Sequence, residues 1–297
     1  MRNGSRRLTI ALVVVLLAVD PAPSAGQTAY VHADLDGRPV DLAHWHPEYR
    51  QRCLLPGSGM HDNAATRAIT ETVEQLGQVP ELGEYLLDAA HRAGTVLCID
   101  EQADLSCGYY DYQYNTIALG KALSPVHKLI VLVHELRHID TVTRGYRVTL
   151  DYDAKEMVRL TYAVEADAQA ITALHAWRMK ERGTPGPWFA LLDWELYADI
   201  ARTLEHEFLA GGDEPQAMKA AFEQWYASPW RLMRYREHCY MGYLDLQDES
   251  KRVARYALLP EDFFDDLCLL PDGRNYGCHR SVQIRQPPRL PFDPPTR

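Results

Sequence analysis

Apolar residues change period several times along this chain, and the changes divide it into elements. An apolar run covers Leu8 to Val19, with Arg2, Arg6 and Arg7 before it and the small residues of Ala22-Pro23-Ser24-Ala25-Gly26 after it. From Gln27 to Asn63 no period is sustained, which predicts loops with one short strand around Ala29 to Leu35. Asn63 caps a predicted helix running to Leu76, and Pro80 opens another that continues to about Ala93 and stops at Gly94. The β-branched run Thr95 to Ile99 reads as a strand. Between Cys107 and Leu119 the apolar parity switches. Tyr110 and Tyr112 fall on one phase and Ile117 and Leu119 on the other, so a turn near Asp111 to Asn115 predicts an antiparallel hairpin.

Helical periodicity then dominates. Ser124-Pro125 supplies a cap and a first-turn proline for a helix to about Arg144, with Gly145 as its stop. A second long helix is predicted from Asp153 to Arg182, ending at Gly183 and Pro185, and three more around Pro187–Leu209, Asp213–Ala227 and Trp230–Tyr243. Gln283 to Arg297 holds five prolines and little periodicity, which predicts an extended or disordered tail. The fold class that follows is α+β, mainly α, with a small antiparallel hairpin or sheet ahead of the helix that starts at Ser124. As domains, residues 1–25 read as a signal peptide, 27–283 as one domain and 284–297 as a Pro-rich disordered tail.

The first of these is an export signal: basic residues, a short apolar run, then small residues, with cleavage between Ser24 and Gln27. Twelve apolar residues fall well short of the ~30 Å hydrocarbon layer, and no later stretch reaches eighteen, so the mature chain is expected to have no membrane span and to sit in the periplasm or outside the cell. The formal charge is −10 and moves to about −12 without the signal, which argues against nucleic acid as a partner because phosphate binding needs a basic surface. Nothing in the sequence fixes an oligomeric state. Six cysteines in an exported chain predict up to three disulfides. Proximity favours Cys98 with Cys107 and Cys268 with Cys278, leaving Cys53 and Cys239 as a long-range staple. No C-x-x-C pair occurs, so a thiolate metal site has no basis.

Chemistry concentrates in the helix after Ser124, where Leu129-Ile130-Val131-Leu132-Val133 leads into His134-Glu135-Leu136-Arg137-His138. This is an HExxH motif, with a chance expectation of roughly 0.03 in a chain of this composition. Residues four apart lie about 40° apart around a helix, so His134 and His138 can hold one zinc ion together. Glu135 projects from an adjacent position, where it can take a proton from water and pass it to a leaving amine. The apolar run before the motif places it in the core rather than on a solvated face. A zinc site needs a third protein ligand and an open position. The metzincin extension would require Gly and then His or Asp, three and six residues after His138, but this chain has Thr141 and Arg144. Glu165 in Val164-Glu165-Ala166-Asp167-Ala168 is the natural third ligand, since small neighbours let the two helices approach. Glu156 and His175 lie too far along that helix, and His206 and the His44/His46 pair read as surface residues.

HELRH followed by this Glu-Ala-Asp-Ala resembles the gluzincin branch of the zincin peptidases. More narrowly, it is similar to an uncharacterised bacterial metallopeptidase domain family in which a Gly-Tyr-Tyr hairpin precedes the HExxH helix. The resemblance covers Thr95 to about Arg182, a catalytic core of residues 95–182. It implies a zincin-like fold, zinc held by His134, His138 and Glu165, Glu135 as general base, and a peptide or protein substrate added as a strand beside the one ending at Ile117 and Leu119. Two residues depart from the gluzincin pattern. Gln169 stands where thermolysin-like members carry an Asp that orients a zinc histidine. Arg137 is a bulky charge inside the motif, read as solvated or ion-paired ahead of a contact for an acidic substrate group. Tyr109, Tyr110, Tyr112 and Tyr114 read as packing residues ahead of oxyanion donors. The expected activity is zinc-dependent hydrolysis of peptide bonds. Its rivals are a catalytically inactive zincin that binds a partner and a zinc hydrolase of a non-peptide amide.

Overall fold

The computed structural model describes residues 32–45, 48–54, 63–101, 108–285 and 288. The proposed signal peptide, Ala29 to Val31 of the expected first strand, Cys107 and most of the proline-rich tail lie outside them. In chain order the elements are α1 (Leu42–Trp45), α2 (Tyr49–Arg52), β1 (Cys53–Leu54), α3 (Ala64–Leu76), α4 (Pro80–Ala93), β2 (Val96–Asp100), β3 (Gly108–Asp111) and β4 (Thr116–Gly120). They are followed by α5 (Pro125–Thr143), α6 (Ala154–Glu181), α7 (Gly186–Leu192), α8 (Ala198–Leu209), α9 (Glu214–Trp225) and α10 (Pro229–Ser250). This is a mainly helical α+β architecture.

Local chemistry sets most of these ends. Asn63 accepts hydrogen bonds from the amides of Ala65 and Thr66 at the start of α3, and Gly94 takes a left-handed conformation with φ 66° to close α4. Ser124 caps α5 ahead of Pro125, and Asp153 caps α6. Asp111 accepts from the amides of Gln113 and Tyr114 and thereby forms the turn of the β3–β4 hairpin.

The hairpin pairs in antiparallel register, Tyr110 opposite Ile117 and Gly108 opposite Leu119. The sheet is larger than the sequence predicts. Its order is β1-β2-β4-β3, with β2 parallel to β4 and β1 antiparallel to β2. Strand β4, buried at every position, is therefore interior, and both of its edges are taken. A substrate cannot add beside Ile117 and Leu119 as expected; the outer strand on that side is β3.

Helix α5 is buried along nearly its whole length, from Lys128 to Val142 apart from His134. It lies in the middle of the molecule against α3, α4, α6, α7 and the hairpin strands. Such a helix needs an apolar surface all round, which Leu129 to Val133, Leu136, Ile139 and Val142 supply. Its longest neighbour, α6, carries fully buried alanines at 163, 166, 170 and 173, whose small side chains allow close approach.

Three further expectations need correction. The predicted helix Pro187–Leu209 is broken between Leu192 and Ala198, because the buried Arg231 guanidinium holds the Leu196 carbonyl (2.6 Å) and both Asp199 oxygens (2.9 and 2.6 Å) where the chain turns. Helix α10 outlasts the predicted Tyr243 end and runs to Ser250, since its last turns are polar and largely exposed and so leave no apolar period to read. Cys98 is bonded to Cys53 rather than Cys107: β1 lies beside β2 with these two residues in register, Cα atoms 4.0 Å apart. Proximity in sequence gave no view of that pairing. Cys239, the expected partner of Cys53, is a free buried thiol, while Cys268–Cys278 forms as expected. The packed chain reaches Ile284, which is buried and whose carbonyl accepts from Arg159 at 2.6 Å. Among the described residues no helix is long and apolar enough to cross a membrane.

His175 on α6 is buried against the Leu76 carbonyl at 3.3 Å. Burial, helped by Arg178 and Arg182, pushes its pKa from 6.5 down to about 4. Below pH 6.5 the unfolded chain binds a proton that the native chain refuses. Stability is thus full above pH 6.5 and falls by roughly 3 kcal/mol as the pH drops towards 4. Urea unfolding of wild type and His175→Gln across pH 4 to 8 should show a shallower acid loss in the variant; parallel curves would refute this role.

Candidate metal centre

The two histidines leave α5 one turn apart, with Nε2 atoms 3.0 Å from each other. Glu165 comes from α6 and reaches both: Oε2 lies 3.4 Å from His134 Nε2, and Oε1 lies 3.4 Å from His138 Nε2. One Glu135 carboxylate oxygen and one ring nitrogen of each histidine lie within 4.8 Å of one another. All four groups are withdrawn from solvent, and His134, with 16% of its side chain exposed, is the most open.

The spacing can be tested against a metal ion. Ligands about 2.0–2.2 Å from a tetrahedral zinc stand about 3.3–3.5 Å apart. The two imidazole nitrogens stand 3.0 Å apart, and each lies 3.4 Å from its own oxygen of the Glu165 carboxylate, separations of the same size. Glu165 Oε2 is buried and has no hydrogen-bond partner, a costly arrangement unless a cation completes it. Two imidazoles and one carboxylate are also a donor set that zinc accepts. The residues therefore fit the group.

Charge within the site is uneven. Burial pushes the Glu165 carboxyl upward, yet the neighbouring His138 and His134 outweigh it and hold the group far below the ordinary carboxylate range. For His134, burial is overcome by Glu165 and Glu135, and the pKa is raised; for His138, burial prevails and the pKa is lowered. Gln169, one turn past Glu165, adds a polar interaction that favours charged His134. Neither His134 Nδ1 nor His138 Nδ1 has a hydrogen-bond partner. Both rings are held by packing rather than by an orienting carboxylate.

Arg137 does not face a substrate. It is fully buried and donates through Nε and Nη2 to both oxygens of Asp167 (2.6 and 3.1 Å), through Nη1 to Asp140 (2.8 Å), and through Nη2 to the carbonyls of Leu267 and Leu269 (3.0 and 2.9 Å). Tyr276 donates to Asp167 at 2.7 Å, Tyr85 to Asp140 at 2.7 Å, and Arg144 to Asp140 at 2.8 Å. Two arginines and two aspartates balance in this network, which ties α4, α5, α6 and the segment after α10 together. The ion-paired reading of Arg137 holds.

Several residues near the site carried no signal in the sequence. Tyr112, just past β3, and Tyr235 lie close enough to Glu165 and Glu135 for both carboxylates to raise their phenols further above a value already lifted by burial. His238 lies near Glu165. Tyr235 and His238 are three apart on α10 and so share a face, but only the return of that helix over α6 brings them here.

An HExxH helix whose histidines converge on a carboxylate from the next helix is the donor arrangement of a metal-dependent hydrolase. Over residues 47–278 the chain matches the family model described as "Putative metallopeptidase family (DUF6782)", and it belongs to that family. The match extends well beyond Thr95–Arg182, from two residues before α2 to the second disulfide. No curated protein and no solved structure matches the chain.

Removing Arg137 would leave two carboxylates buried without their main partner, which typically costs about 3–5 kcal/mol. Arg137→Met should lower the unfolding free energy in urea by that amount; a loss under about 1 kcal/mol would show that the network does not hold these helices.

Proposed function

We propose that this protein hydrolyses peptide bonds with a zinc ion held by His134, His138 and Glu165 and with Glu135 as general base. The observation that carries the proposal is the convergence of two imidazole nitrogens, 3.0 Å apart, on the Glu165 carboxylate, each 3.4 Å from one of its oxygens, in a chain of the family described above. When bound, zinc supplies Lewis acidity at the scissile carbonyl and makes water more acidic. The chain does the rest. His134, His138 and Glu165 bring two neutral donors and one negative charge to a site largely closed to solvent. Glu135, next in sequence to a ligand and turned about 100° from it, is placed to take a proton from the attacking water and return it to the leaving amine. Among the described residues β3 is the outermost strand on the side of β4, and an extended peptide would add along it.

This reading also assigns residues 1–25 to a cleaved export signal, 27–283 to one catalytic domain with its core at 95–182, and 284–297 to a tail. Two disulfides accord with an oxidising compartment. Metal content and peptide cleavage test the roles separately. The mature protein should carry about one zinc; Glu165→Gln should lose it, whereas Glu135→Gln should keep it and lose a factor of about 10²–10⁴ in kcat. Zinc retained by Glu165→Gln would refute the third ligand, and undiminished turnover in Glu135→Gln would refute the base.

A further inference from the structure

Cys268 and Cys278 close a short ring of chain that touches both helices of the metal centre. Cys268 stands between the two residues whose carbonyls receive the buried Arg137 guanidinium, Leu267 at 3.0 Å and Leu269 at 2.9 Å. Arg137 is the residue before His138 on α5. From the other limb of the ring, two residues before Cys278, the Tyr276 hydroxyl donates to Asp167 Oδ1 at 2.7 Å. Asp167 lies two residues after Glu165 on α6. The limbs are joined near the bond as well, where the Tyr276 amide donates to the Cys268 carbonyl at 3.1 Å. Cys268, Cys278 and Tyr276 are all buried. One loop thus holds the arginine inside the HExxH segment and the aspartate beside the proposed third ligand.

An open loop loses chain entropy when both of its limbs dock, whereas a cross-linked one has lost most of that freedom beforehand. With Cys268 joined to Cys278, seating the Leu267 and Leu269 carbonyls on Arg137 also delivers Tyr276 to Asp167. Asp167 Oδ1 has two donors, the Tyr276 hydroxyl and Arg137 Nη2 at 3.1 Å. Without the hydroxyl a buried carboxylate oxygen is underserved, and the turn of α6 that carries Glu165 loses part of its hold on α5. We propose that Tyr276, held by the Cys268–Cys278 bond, is a positioning residue for the metal ligands, so that the site reaches full zinc affinity only after that bond has formed. Its formation passes two protons and two electrons from the two thiols to a disulfide oxidant, which leaves as two thiols. Both cysteines are fully buried once the chain is folded, so the bond is made during maturation and is afterwards shielded from reductants. The inference rests on the metal-site reading above. It adds a timing to it, since a chain exported as proposed would bind zinc tightly in an oxidising compartment and weakly before reaching one.

The second disulfide provides the control, because Cys53–Cys98 joins β1 to β2 in a separate small core with Leu42 and Val96. Zinc affinity of the mature protein is measured by competition with a chromogenic chelator, at a temperature where circular dichroism shows each zinc-free form to be folded. Tyr276→Phe, which keeps both disulfides and removes one hydroxyl, should weaken zinc about 10–100-fold. Cys268→Ser/Cys278→Ser should weaken it to a similar degree, and Cys53→Ser/Cys98→Ser by less than about threefold. Cobalt bound in place of zinc should show altered visible absorption in Tyr276→Phe, because the ligands around it are displaced. Unchanged zinc affinity in Tyr276→Phe would overturn the inference and leave the peptidase reading intact. So would equal losses in the two cysteine pairs, or weaker zinc with cobalt absorption like that of wild type, since either would mark a general loosening of the fold. If Cys268→Ser/Cys278→Ser does not fold, Tyr276→Phe decides alone, its disulfides being intact. A wild type that binds no zinc would remove this inference and the metal-dependent reading together.

Discussion

The contact between α5 and α6 is the constraint on which the rest depends, and the buried pair Arg137–Asp167 fixes it. A site with two ligands on one helix and a third on another works only if the helices keep their register to within a fraction of an ångström. Apolar packing does not set register that finely, because it is non-directional. A bidentate guanidinium–carboxylate pair does, since both hydrogen bonds must form at once. Glu165 and Asp167 leave α6 about 200° apart around its axis. Between them on one side lie Ala163, Ala166, Ala170 and Ala173, all fully buried. Helix α5 is thus gripped at both flanks of a narrow alanine seam, with His134 and His138 meeting Glu165 on one flank and Arg137 meeting Asp167 on the other.

The same pair explains why an arginine stands inside the HExxH segment. Asp140 and Arg144 continue its network along α5, Tyr85 reaches in from α4, and the carbonyls of Leu267 and Leu269 close it from the segment after α10. Burial of so many charges gives little net stability against a well-packed apolar alternative. What it does give is a single arrangement. Four parts of the chain, distant in sequence, must all be in place before the last hydrogen bond can form, and His134 and His138 share a helix with the arginine at the centre of it.

Much of this was legible in the sequence where the signal is local. Asn63, Gly94, Ser124, Asp153 and Gly145 act within a turn of themselves, and the helix ends they predict fall within about a residue of those observed. The HExxH spacing was legible for the same reason, because helical geometry puts residues four apart on one face; that Glu165 meets both histidines depends on how α6 returns against α5. What was not legible depends on contacts between distant segments. The parallel β2–β4 pair, the Cys53–Cys98 bond and the break before Ala198 each require a partner that no local pattern names. The interior position of β4 is the clearest case: the hairpin was readable from parity, but its placement against β2 was not, and that placement makes β3 the outermost strand on that side among the described residues.

Helix α10 shows the limit most sharply. Its inner face carries Arg231, Tyr235, His238 and Cys239 within nine residues, and its outer face exposes Trp230, Met233, Met241 and Leu244. Apolar residues thus occur on both faces, so the pattern that marks a core face elsewhere is blurred, and the polar residues that turn inward look like those of an ordinary surface helix. Arg231 resolves it in three dimensions. By taking the Trp225, Gln224 and Leu196 carbonyls together with Asp199, it pins the first turn of α10 to the end of α9 and to the bend before α8. From that anchor the next turn carries Tyr235 beside Tyr197. Two buried arginines therefore organise this part of the fold: Arg137 ties α5 to α6, and Arg231 ties α10 to the end of α9 and to the bend before α8.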